Sequence, residues 1–190
     1  IVGFFTGLAS GATVVISQHY GAKQEDGVQK ALHTAYAFSV VGGIIISIMG
    51  ILITRPLLKL MNTPDNIIDL SATYLCIYFA GLVFVFIYNV GAGILRAVGD
   101  SRRPLYFLIL CCFINVLLDI ILIVFLKMGV AGAAIATTFS QGISAVMVTV
   151  TLCRTTDIFR LRVKKIRFHA QPMGMIVKIG LPAGLQSVMY

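Results

Sequence analysis

The sequence predicts an all-α integral membrane protein, a bundle of transmembrane helices, and three observations carry that prediction. Apolar residues make up 58% of the chain and charged residues 12%, with a mean hydropathy of +0.96, more than a soluble core of this size requires. The apolar residues form continuous runs without period-two alternation, which excludes barrel strands. The runs are also long. Charge-free stretches cover residues 1–22, 31–54, 70–95, 105–126 apart from Asp119, 129–153 and, interrupted by Lys178, 173–190. About 20 residues at 1.5 Å each cross about 30 Å of hydrocarbon.

Helices are therefore expected at about 1–20, 31–54, 67–95, 105–127, 130–153 and 175–190, four full spans between two partial ones. In the first, Gly3, Gly7 and Gly11 recur every four positions ahead of Ala12, a small-residue stripe that lets backbones approach closely in lipid. The second lies between Lys30 and Arg55. The third starts after Asn62-Thr63-Pro64-Asp65, a turn with Thr63 or Asp65 as helix starter. Between the third and fourth, Gly99 suits a positive φ, Asp100 or Ser101 a cap, and Pro104 a first helical turn. Gly129, Gly132, Ala133, Ala134 and Ala136 mark a short turn that makes the fourth and fifth spans an antiparallel hairpin. The chain opens and closes inside apolar helices and lacks a signal-peptide pattern, as expected of a segment of a longer polytopic protein, incomplete at both ends.

The net charge of +8 is explained by topology. Alternate loops carry Lys23, Lys30, Arg96, Arg102, Arg103, Arg154, Arg160, Arg162, Lys164, Lys165, Arg167 and Lys178 on one side, and only Arg55, Lys59 and Lys127 on the other. The positive-inside rule places the twelve-residue side in the cytoplasm. The basic segment 154–167, with Phe159 and Leu161 between its charges, is expected as a surface helix on anionic headgroups, so membrane lipids are the expected partner and nucleic acid is not.

Asp119 is the one charge inside residues 105–126, and Asn115 precedes it by four, on the same helical face. A carboxylate at the bilayer centre costs at least about 2.5 kcal/mol even on lenient scales, so it is kept where something binds or neutralises it. A helix-packing hydrogen bond is the plainer reading, but Ser or Asn would supply one at lower cost. An amide and a carboxylate on one face begin an oxygen site for a proton or a small hard cation. Counting about 10 Å from the turn on each side, Asp119 and Thr137 lie at one depth. Thr137, Gln141 and Ser144 then give the fifth span a polar stripe. Asn89 and Gln141 are secondary candidates.

Cys76, Cys111, Cys112 and Cys153 lack metal-ligand spacing and fall in or beside apolar spans; neither a disulfide nor a thiolate metal site is expected. His19, His33 and His169 are expected as solvated or interfacial side chains. No His cluster, paired carboxylate or Ser with a base sits at depth, so an intramembrane enzyme is not expected.

Several stretches carry a resemblance: Gly21-Ala22-Lys23-Gln24; residues 89–96 running into Ala97-Val98-Gly99-Asp100-Ser101-Arg102-Arg103-Pro104; Asn115-Val116-Leu117-Leu118-Asp119; residues 129–137; and Gly180-Leu181-Pro182-Ala183-Gly184. In this order and spacing the chain resembles the multidrug and toxic compound extrusion (MATE) transporters over essentially its whole length. The resemblance implies most of one six-helix lobe of a twelve-helix, two-lobe transporter, from the second helix to the start of the seventh. It implies a multi-pass antiporter of the cell membrane that exchanges Na⁺ or H⁺ for cationic or amphipathic drugs, a monomer without cofactors. On the family pattern Asn115, Asp119 and Thr137 belong to the cation site, with no metal expected beyond Na⁺ at Asp119. The alternative in the same superfamily is a lipid-linked oligosaccharide flippase, which is expected to line its cavity with basic residues that these spans lack.

Overall fold

The computed structural model describes residues 2–162 and 166–189. Helix α1 spans Val2–Gly21, α2 Glu25–Leu60, α3 Asp65–Ala97, α4 Arg102–Asp119, α5 Gly129–Arg154 and α6 Ala170–Met189, with a π-helical turn Ile120–Phe125 continuing α4. Among the described residues four helices are long and apolar enough to cross a membrane: α2, α3, α4 with its π turn, and α5.

Helix α2 is longer than its charge-free run. Its 36 residues rise about 54 Å at 1.5 Å each, well beyond the hydrocarbon thickness. Glu25 and Asp26 lie in its first turn, where carboxylates meet the positive end of the helix dipole. At the other end the helix passes through Pro56; the carbonyl that Pro56 leaves without an N–H partner belongs to Leu52, which is 71% exposed. Asp65 opens α3. Asp100 caps α4, its Oδ1 accepting the Arg103 N–H at 3.1 Å, and Gly99 has the left-handed φ of +91°.

Helix α3 is central, packed against α1, α2 and α5, while α4 lies outermost against α5 and α6 lies along α1. The α1–α6 seam is made by glycine on glycine. A Cβ built on Gly7 would stand 2.2 Å from the Gly184 Cα, and one on Gly11 would stand 2.6 Å from the Gly180 nitrogen. The glycine stripe expected to pack closely therefore does so, against a second stripe on α6.

The main core lies at one end of the bundle. It joins Val15 and Ile16 of α1, Val28 and Leu32 of α2, Ile94 and Leu95 of α3, Val148 and Leu152 of α5, Leu161 and Ile176. These are the last turns of α1, α3 and α5 and the first of α2 and α6, so the connections after α1, α3 and α5 share one end. That end carries the excess of basic residues; Arg55, Lys59 and Lys127 lie at the other. Towards that other end side chains such as Ile45, Ile48, Leu52 and Phe113 are exposed, as befits surfaces facing lipid.

Two expectations are corrected here. The segment 154–167 is not a surface helix: beyond Arg154 its described residues are irregular, and Phe159 and Leu161 are 6% and 2% exposed, turned into the core and not onto headgroups. A turn closed by the Arg160 N–H on the Asp157 carbonyl at 3.1 Å leads into a strap in which buried Phe159 and Leu161 alternate with exposed Arg160 and Arg162. Lys164 and Lys165 lie outside the described residues. His33, expected to be solvated, is 3% exposed. Its Nδ1 donates to the Gln29 carbonyl at 2.7 Å, and its Nε2 accepts the Arg162 N–H at 3.2 Å.

Candidate cation site

Helices α4 and α5 meet through a hairpin whose turn needs unusual backbone. Lys127 and Gly129 both take left-handed φ, +53° and +55°. Gly132 brings α5 close against the π turn, since a Cβ there would lie 3.1 Å from the Leu122 Cβ. Two hydrogen bonds close the turn, from the Leu126 N–H to the Ile121 carbonyl and from the Met128 N–H to the Leu122 carbonyl, at 3.0 and 2.9 Å. The turn brings the facing sides of α4 and α5 together, but the π turn holds more residues per unit height than an α-helix, so equal counts do not reach equal depth: Thr137 meets Asn115, not Asp119 as the count from the turn places it.

The structure places Asn115 against Thr137. The Asn115 Nδ2 lies 3.5 Å from the Thr137 Oγ1, and that hydroxyl gives its own proton to the Ala133 carbonyl at 3.0 Å. With the amide so turned, the Asn115 Oδ1 is left free to accept. Asp119 stands one turn further along α4, half-buried, and its Oδ1 is fully buried without a hydrogen-bond partner among the described residues. No hydrogen bond or ion pair joins Asp119 to Thr137. Such a carboxylate oxygen is costly in a medium of low polarity, by several kcal/mol if charged and unpaired. The π turn begins at the next residue, Ile120; such irregular turns are frequent at functional positions.

The remaining candidates differ in their surroundings. Gln141 is half-buried one turn beyond Thr137, with no hydrogen-bond partner among the described residues. Ser144, the last member of the stripe, has a buried hydroxyl that also lacks a partner. Asn89 is not brought to this group: its Nδ2 donates to the Val85 carbonyl of its own helix at 2.8 Å.

Three features escaped the sequence reading. The π turn lies in Ile120-Ile121-Leu122-Ile123-Val124-Phe125, which carries no local mark of it. Thr138 donates across to the Ile77 carbonyl at 3.2 Å, and Tyr36 hydrogen-bonds Thr149, two ties of α5 to its neighbours. Polar residues inside spans signalled that such ties exist, but not between which helices.

The chemistry open to this arrangement is narrow. Carboxylate, amide carbonyl and hydroxyl are hard oxygen donors, suited to a proton or a small hard cation. No group of three or more His, Cys, Asp or Glu side chains able to hold a metal ion occurs among the described residues.

Comparison with known proteins agrees on one family. Residues 1–121 match the MatE family. Among curated relatives, the probable multidrug resistance protein YoeA of Bacillus subtilis is 31% identical over 196 residues, covering 100% of this chain and 42% of YoeA. The multidrug export protein MepA of Staphylococcus aureus is 27% identical over 183 residues, covering 94% of this chain and 40% of MepA. An inward-facing structure of a multidrug resistance MATE family transporter of the MOP superfamily superposes with a TM-score of 0.91 at 26% identity, over 98% of this chain and 43% of that one. The outward-facing structure gives a TM-score of 0.90 with 98% and 42% coverage. The chain thus spans about 42% of the length of the relatives it matches.

Proposed function

Because the chain belongs to the MatE family, we propose that it forms part of a secondary active transporter that exports cationic or amphipathic compounds across the cell membrane in exchange for Na⁺ or H⁺. The observation that supports this reading is the buried, unpartnered Asp119 Oδ1, one turn from the Asn115–Thr137 contact. A carboxyl in that setting can be occupied by a proton or cation, or left bare. An exchanger needs such a group, because the ion must bind on one side and leave on the other. Each unit charge moved down a potential of 100 mV releases about 2.3 kcal/mol. That energy drives export only if the site alternates between its two states as the protein switches access.

Asn115 and Thr137 are assigned to hold the ion or the proton-bearing carboxyl in one geometry, Asn115 through its free Oδ1 and Thr137 through its hydroxyl oxygen. The test uses the full-length protein in vesicles, with export of a fluorescent organic cation followed under an imposed Na⁺ gradient and, separately, a pH gradient. Export that tracks at least one gradient is expected. Export at the same rate with both gradients collapsed would exclude exchange.

A further inference from the structure

A second polar site lies at the basic end, away from Asp119. A cavity of about 770 Å³ opens there between the first turns of α2 and residues 156–162, Arg167 and His169. Lys30, Arg160, Arg162 and Arg167 line it, and so do the carboxylates of Glu25, Asp26 and Asp157.

The wall of this cavity is held by backbone stitching. Gln29 Nε2 donates to the Ile158 carbonyl and to that of Arg160 at 3.3 Å. The Arg162 N–H donates to His33 Nε2 and the His169 N–H to Thr34 Oγ1, each at 3.2 Å, and the Leu161 N–H donates to the Leu152 carbonyl at 2.9 Å. Phe159 and Leu161 are buried in the core, while the alternate residues Arg160 and Arg162 are exposed and line the cavity. The arginines are thus placed by the chain, not by acidic partners. No ion pair within 4 Å joins Lys30, Arg160, Arg162 or Arg167 to a carboxylate among the described residues. Among the described residues these four cationic groups make one side-chain hydrogen bond, from Arg160 Nε to the Cys153 carbonyl at 3.1 Å.

We propose that this cavity binds the headgroup of a membrane phospholipid. Its phosphodiester would sit among Arg160, Arg162, Arg167 and Lys30, since guanidinium forks match phosphate oxygens two at a time. Glu25, Asp26 and Asp157 then accept from the hydroxyls or ammonium of the head. Among the described residues four cationic side chains and three carboxylates line the cavity, a mixed lining that suits a phosphate with a donor-bearing head. Phe168, beside Arg167 and 52% exposed, offers an aromatic ring of the kind that anchors at the membrane interface.

The test is native mass spectrometry of the full-length protein, delipidated in mild detergent and re-exposed to phosphatidylglycerol or phosphatidylethanolamine. Arg162→Gln/Arg167→Gln is the main variant, because neither side chain makes a hydrogen bond that the fold needs. The wild type is expected to retain phospholipid about tenfold more tightly than this variant, the scale of a lost charge-assisted hydrogen bond. Lys30→Gln serves the same purpose should the double variant fail to fold. Equal retention by wild type and the folded variant overturns the proposal. Displacement of the lipid by millimolar inorganic phosphate overturns it too, by making the site one for soluble phosphate.

Discussion

The amide of Asn115 on α4 reaches the hydroxyl of Thr137 on α5 at 3.5 Å, the outer limit of hydrogen bonding. Thr137 commits its own proton to Ala133, so it meets Asn115 as an acceptor. The contact fixes the mutual level of the two helices one turn from Asp119, and that level is what turns isolated polar residues into a candidate site.

Asp119→Asn in the full-length protein is expected to abolish gradient-driven export while leaving expression and drug binding close to wild type. The amide keeps the shape but cannot alternate between charged and neutralised states. Export under gradients is the measurement, and undiminished export would make Asp119 a packing residue.

Asn115→Ala and Thr137→Ala are each expected to weaken the cation dependence of export by about tenfold, the scale lost when a ligand or its support is removed from an ion site. Either change added to Asp119→Asn should contribute almost nothing more, because members of one site are non-additive. Additive losses in that double-mutant cycle would separate Asn115 and Thr137 from Asp119.

The legible and illegible parts of this structure divide along physical lines. Helical class and the four spans come from run length, since lipid admits no unpaired backbone. The ends of α2 were hidden, because Glu25, Asp26 and Lys30 are charged yet stay helical beyond the hydrocarbon. Asn115 and Asp119 declared their common face by spacing alone, but counting from the hairpin put Thr137 level with Asp119, whereas it meets Asn115, because the π turn after Asp119 rises less per residue than the count assumed. The back-bond of Asn89 to Val85 needed coordinates, since an amide in a span can turn to its own helix or to a neighbour. In the strap, Phe159 and Leu161 two apart already carried a signal of non-helical chain, obscured by the surrounding basic residues.

Gly11→Ala is expected to destabilise the protein by about 1 to 3 kcal/mol, the range for overpacking, because the added carbon meets α6 backbone at 2.6 Å. Gly174→Ala supplies the contrast. Nothing lies within 4 Å of a Cβ there, and Ala favours a helix over Gly, so stability should hold or rise. Thermal melting in detergent compares the two; equal melting temperatures would remove the glycine seam as a packing constraint.

Orientation is tested by single cysteines in a full-length background free of other cysteines. Thr156→Cys, on the basic strap, is expected to be shielded from an impermeant thiol reagent in intact cells, and Asp65→Cys to be labelled. The opposite pattern would reverse the assignment of inner and outer ends.

Hydrogen bonds in a π turn reach back five residues instead of four, so the stretch Ile120–Phe125 carries residues in surplus over an α-helix of equal height. In sequence terms that surplus is an insertion placed directly after Asp119. One inserted residue rotates the later part of the helix by about 100°, its share of a 3.6-residue turn. A helical wheel drawn straight through residues 105–126 therefore assigns the wrong faces beyond Asp119, and an alignment to an unbroken helix needs its gap within 120–125, where a one-residue deletion would restore α phase without shifting Asn115 or Asp119.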